Sequence, residues 1–122
     1  MASIRLGSVS LDCADPKLLG DFWAALLGGE VAFSSDGFVA VKLERLWLSA
    51  VMVEDYEPPT WPRGTVPKQI HLDLAVDDLE ASEAEAVRLG AVRADEQPGE
   101  GRFTVLIDPA GHPFCLSTQI PD

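Results

Sequence analysis

Basic residues are scarce in this sequence. Its 122 residues include nine Lys and Arg against twenty Asp and Glu, a formal net charge of −11. Such a balance repels phosphate backbones and anionic membrane surfaces, so neither nucleic acid nor a membrane is expected as a partner. Cysteine is scarcer still: Cys13 and Cys115 show no CxxC spacing and are too few for a disulfide framework. Free thiols are expected. No apolar run approaches the roughly 20 residues that span a bilayer. The opening Met-Ala-Ser-Ile-Arg-Leu-Gly has no apolar core of a secretory signal, so a cytoplasmic address is expected.

Apolar residues are plentiful, at 47%, enough for an ordinary core in a chain of one domain or two small halves. The sequence repeats itself. "SVSLDCADPKLLGDFWAALLGGE" from Ser8 and "HLDLAVDDLEASEAEAVRLGAV" from His71 share one plan: an alternating run, an Asp, an amphipathic stretch and a Leu-Gly stop. Asp15 accepts backbone N–H bonds as a helix cap, with Pro16 suited to the first helical position and Gly28 or Gly29 to the stop. Leu18, Leu19, Phe22, Trp23, Leu26 and Leu27 then recur at helical spacing and predict an apolar face for a sheet. In the second copy Asp77 or Asp78 caps and Gly90 stops the helix.

Three strand-like runs follow each helix, at 30–34, 38–43 and 46–53, then at 91–94, 102–107 and 114–118. Each half therefore reads βαβββ, an α+β chain of two modules, about 1–54 and 69–122. Residues 55–68, "DYEPPTWPRGTVPK", are rich in proline and read as an extended linker. One helix covers one face of a four-stranded sheet. The other face is left for a ligand, the second half or another chain, and a homodimer is expected.

The motifs "LDCADP", "FWAALLGGE", "DYEPPTWP", "HLDLAVDDLE" and "DPAGHPFCL" resemble the vicinal oxygen chelate superfamily, which includes glyoxalase I, extradiol dioxygenases and bleomycin-resistance proteins. Small bacterial glyoxalase-like proteins are the nearer likeness. The resemblance implies paired βαβββ modules forming a curved mixed sheet around a cleft, a single glyoxalase-like domain over 1–122. It implies nothing firm about reaction, because one scaffold hosts many chemistries. In metal-using relatives the ligands come from the first and fourth strands of each module. Carried over, those positions are Ser8, a residue close to Val51, His71 and Cys115, the last standing where the family pattern has a ligating glutamate. Of these His71 alone is a ligand typical of the family site. A divalent first-row ion normally takes three good protein ligands, so no metal and no other cofactor is expected.

Strand alternation sets His71, Asp73 and Ala75 on one face and Leu72, Leu74 and Val76 on the other. The same rule groups Ser8, Ser10 and Asp12, and groups Trp47, Ser49 and Val51. Ser117 and Cys115 join the inward set, and Trp61 on the linker is a candidate to fold over it. The expected ligand-binding residues are thus Ser8, Ser10, Asp12, Trp47, Ser49, Val51, Trp61, His71, Asp73, Cys115 and Ser117. Cys13 reads as a core residue, and His112 in the "PAGHP" turn as solvent-facing. The leading expectation is a metal-free protein that binds or sequesters a small, partly aromatic molecule. The alternatives are a metal-independent isomerase or lyase using His71 with Asp73 or Asp12 as acid and base, Cys115 being a further catalytic candidate, and a metal-dependent enzyme of glyoxalase or dioxygenase type.

Overall fold

A computed structural model describes residues 2–122. It has two compact units, the second beginning at Glu57. In the first, strand β1 (Ser8–Cys13) leads into helix α1 (Pro16–Leu27), followed by β2 (Glu30–Ser35), β3 (Phe38–Lys42) and β4 (Trp47–Met52). The sheet order is β1-β4-β3-β2. β1 pairs parallel with β4, and the other pairs are antiparallel.

α1 starts as its sequence dictates. The Asp15 side chain accepts from the Leu18 N–H, Pro16 occupies the first turn, and Gly28 ends the helix in the left-handed region at φ 67°. Its buried side chains include Leu19, Phe22 and Trp23, the latter two meeting edge to face at 5.1 Å. Beneath it lie Leu11, Cys13, Val39, Val41, Leu48 and Ala50, all buried. Gly20 lets helix and sheet approach: a Cβ there would sit 2.4 Å from Val39 Cγ1. Cys13 is thus the core residue that its place in the alternation predicts.

The second unit repeats the plan with β5 (Leu72–Ala75), α2 (Leu79–Leu89), β6 (Val92–Arg93), β7 (Phe103–Ile107) and β8 (Pro113–Ser117). Its order is β5-β8-β7-β6, with β5 and β8 parallel. Of the two candidate caps, Asp78 takes the role, accepting from Ala81 N–H. Register puts Leu72, Leu74, Thr104, Leu106, Phe114 and Leu116 on one face, which α2 packs against. Asp73, Ala75, Phe103, Val105, Cys115 and Ser117 lie on the opposite face.

Several expectations need correction. His71 precedes β5 by one residue rather than opening it. The strand expected at 91–94 is only two residues long, because the Gln97 side chain takes over as partner. Its amide donates to the carbonyls of Ala94 and Val105 and accepts from the Val105 N–H. From Glu57 onward the proline-rich segment belongs to the second unit. His112 is buried, not solvent-facing, because the turn that carries it folds inward around Asp108. Among the described residues no helix is long and apolar enough to cross a membrane.

Candidate functional site

The second unit holds a pocket of about 400 Å³ on the sheet face opposite α2. Trp61, Pro98, Phe103, Val105 and Ile120 form its apolar wall, and His71, Asp73, Cys115 and Ser117 its polar corner. Strand geometry builds that corner. Parallel pairing sets Asp73 beside Cys115 and Ala75 beside Ser117, while antiparallel pairing brings Val105 to Cys115 and Phe103 to Ser117. Residues in register share a face, so four strand positions converge on one patch.

Trp61 arrives from outside the sheet. Thr60 clasps its loop: the backbone N–H of Thr60 donates to the Val66 carbonyl at 2.7 Å, and its hydroxyl donates to that carbonyl and accepts from the Val66 N–H. Pro58 packs against the turn at Gly111, where a Cβ would approach Pro58 Cβ to 2.6 Å. Arg63 pairs with Glu96 on the same unit. These ties hold Trp61 against the buried cluster of Ala94, Val105 and Cys115.

Within the corner, His71 Nε2 and Asp73 Oδ1 are hydrogen-bonded at 3.1 Å. His71 Nδ1 is buried and finds no hydrogen-bond partner among the described residues. Burial, aided by the negative charge of Asp73, pushes the Cys115 thiol up to about 11 against an opposing pull from Lys68. At neutral pH that is a protonated, unreactive thiol.

One donor atom from each of His71, Asp73 and Cys115 lies within 4.8 Å of the others. Asp73 is not among the four positions that the family resemblance carries over as ligands. Period-two alternation already groups His71 with Asp73, and the Asp73–Cys115 register, seen only in the fold, adds the third.

The first unit places Ser8 beside Trp47, Ser10 beside Ser49 and Asp12 beside Val51, on one face as alternation predicts. Ser8, Ser10 and Asp12 are exposed there, Trp47 is 38% exposed, Val51 is half-buried and Ser49 is buried. Register also corrects one carry-over. Ser10 and Asp73 each stand five residues before a helix cap, and their strand partners are Ser49 and Cys115. The counterpart of Cys115 is therefore Ser49, not Val51. The structure gathers Trp61, His71, Asp73, Cys115 and Ser117 into one pocket. Pro98, Phe103, Val105 and Ile120 are lining residues that the sequence reading missed; the alternation of Phe103 and Val105 along 102–107 was their only signal.

The four-ligand metal centre that the resemblance implies is not matched by these residues. Its first-unit positions hold Ser8 and either Val51 or Ser49, which supply hydroxyls or no donor at all.

A family model described as a glyoxalase-like domain matches residues 8–117. No curated protein matches the sequence. Similar solved structures include a glyoxalase/bleomycin resistance protein/dioxygenase family enzyme from Burkholderia phytofirmans, 17% identical with a TM-score of 0.71, covering 93% of this chain and 97% of that one. Another is a variant of the fosfomycin resistance protein FosX from Listeria monocytogenes, complexed with Mn(II) and 1S,2S-dihydroxypropylphosphonic acid. It is 19% identical, with a TM-score of 0.71 and coverage of 98% and 95%. FosX from Mesorhizobium loti is 14% identical, with a TM-score of 0.70 and coverage of 98% and 94%. At these identities the likeness establishes the fold.

Proposed function

The chain belongs to the glyoxalase-like domain family, and we propose that it binds a small, partly aromatic organic molecule in the pocket of its second unit. No four-ligand metal centre takes part. The observation that carries this reading is the pocket itself, a concave site with an apolar wall and a few convergent polar atoms at one end, as small-molecule sites are generally lined. Trp61 and Phe103 offer ring faces and edges for stacking. Asp73, Ser117 and His71 offer hydrogen bonds that fix orientation.

Ligand charge follows from what the lining omits. No Lys or Arg lines the pocket, Lys68 acting on Cys115 from outside the lining, and the chain carries a net charge of −11. A phosphonate of the kind bound by FosX would meet Asp73 with no cationic partner in the lining. A neutral or cationic molecule fits better. The test is tryptophan fluorescence of the whole chain titrated with planar amines, their uncharged analogues and matching carboxylates. Saturable quenching by the first two classes is the expected result. Quenching by carboxylates alone, or by none of the panel, overturns the reading.

The His71–Asp73 hydrogen bond favours one second reading, acid–base catalysis on the bound molecule without a metal. Asp73, not Asp12, is the partner in that case, because the 3.1 Å contact is made by Asp73. Turnover lost in His71→Ala at unchanged ligand affinity would separate catalysis from binding alone.

A further inference from the structure

Asp73 is the single Asp, Glu, Lys or Arg in the lining of the second-unit pocket, so the one fixed charge there is negative. Taking the small-molecule reading above as its basis, we infer that the pocket selects a singly charged organic ammonium ion. Its N–H groups meet Asp73, and its aryl or alkyl body lies along the apolar wall.

The Asp73 carboxylate has accepting capacity to spare. Among the described residues it pairs with no Lys or Arg, and its side-chain partner is His71, whose Nε2 lies 3.1 Å from Oδ1. An ionised carboxylate only accepts, so a neutral imidazole in that contact carries its proton on Nε2 and leaves Nδ1 as a lone-pair acceptor. That Nδ1 is buried and has no partner among the described residues. Cys115, the strand neighbour of Asp73, keeps its proton at neutral pH and adds no second charge. The corner is therefore rich in acceptors and short of donors. With a side chain 58% exposed, Asp73 is solvated until a ligand arrives. An ammonium group replaces that water with charge-assisted hydrogen bonds, which are stronger than the neutral kind.

The wall decides the rest of the molecule. Trp61 packs on the buried cluster that includes Cys115, so an indole stands close to the carboxylate end. Indole attracts a cation better than other aromatic rings do. Phe103 is a poorer seat, because the Arg102 guanidinium already lies 5.9 Å from its ring centre, outside the lining. Farther along, Val105, Phe103 and Ile120 offer no counter-charge. A second cationic centre placed there would lose its water without gaining a partner, which disfavours diamines and polyamines.

The experiment is a nuclear magnetic resonance titration of the full, nitrogen-15-labelled chain at neutral pH with phenethylamine and with phenethyl alcohol. The two probes share one aryl body and differ in ammonium against hydroxyl. Phenethylamine should bind about tenfold more tightly, the value of a hydrogen bond to a charged group. Asp73→Asn should weaken it by about tenfold while leaving phenethyl alcohol within about twofold, and Asp73→Glu should keep the preference. Glu80→Gln removes a charge from α2, on the other side of the sheet, and should leave both affinities within about twofold. Amide spectra that match the parent away from the pocket show that each variant is folded. Equal binding of the two probes overturns the inference and leaves the small-molecule reading standing. A preference that survives Asp73→Asn, or one that Glu80→Gln removes as well, also overturns it, because the net charge or the ring would then be the cause. Binding of neither probe removes both readings together.

Discussion

Asp108 controls how β8 enters the sheet, and removing its carboxylate should be among the most damaging single changes in the second unit. The side chain is 4% exposed, and its Oδ1 accepts from the N–H groups of Ala110 and His112, both at 2.9 Å. Asp108→Ala strands two donors in a buried turn, each worth about 1–3 kcal/mol when left unsatisfied. Partial relaxation and water entry trim the sum to about 2–4 kcal/mol. For a chain of this length each kcal/mol moves the melting temperature by about 3–5 °C, so the midpoint should fall by roughly 6–20 °C. Asp108→Asn keeps an oxygen at the same place and should cost less than about 1 kcal/mol. Thermal unfolding followed by circular dichroism, with urea midpoints as a check, compares the two variants. Equal losses in Asn and Ala, or an Ala variant within about 0.5 kcal/mol of the parent, would refute the reasoning, because the accepting oxygen would then not be what holds the turn.

The two helix caps should behave alike: Asp15→Ala and Asp78→Ala should each cost about 1 kcal/mol by chemical denaturation, since each removes one side-chain acceptor from a first turn. Trp23→Ala should cost about 3–5 kcal/mol, because that residue, on the buried face of α1, is 1% exposed. Trp61→Ala, which uncovers part of a buried cluster, should cost less than about 2 kcal/mol of stability while weakening binding of planar amines by about two- to tenfold, the value of a stacking contact. In solution we expect a homodimer, which sedimentation velocity at micromolar concentration would report as roughly twice the 13.1 kDa chain mass.

How much was legible in the sequence depended on whether the signal was local. Asp15, Pro16 and Gly28 announce their helix within a dozen residues, and the structure places all three as read. Alternation likewise fixes which side of a strand faces the helix, and Leu11, Cys13, Leu48 and Ala50 are buried accordingly. Strand register is not local. Whether Ser49 or Val51 answers to Cys115 depends on a pairing between strands about 40 residues apart in sequence, and a shift of two residues keeps every side chain on its face. The seat of residues 57–68 was hidden for the same reason. Proline reads as extended chain, while the Thr60–Val66 clasp and the Pro58 contact are made only once the loop is folded. His112 was misread because a turn is normally solvated, whereas this one closes over a buried carboxylate.

The two halves separate what carries the fold from what carries the chemistry. On the helix-facing side they are interchangeable in kind: Leu11 and Ala50 in one, Leu74 and Leu116 in the other, apolar residues whose burial drives folding. On the opposite side, the positions of His71, Asp73 and Cys115 correspond to Ser8, Ser10 and Ser49. Three hydroxyls replace an imidazole, a carboxylate and a thiol. A hydroxyl is a weak neutral ligand with no charge to orient a bound ion and no proton to exchange near neutral pH. The strand frame of each unit presents three side chains on one face, and in the second unit those three are ionisable groups that line a pocket. The chemical difference between the halves therefore resides in three side chains and in the loop that brings Trp61 to the same pocket, on a backbone plan that both halves share.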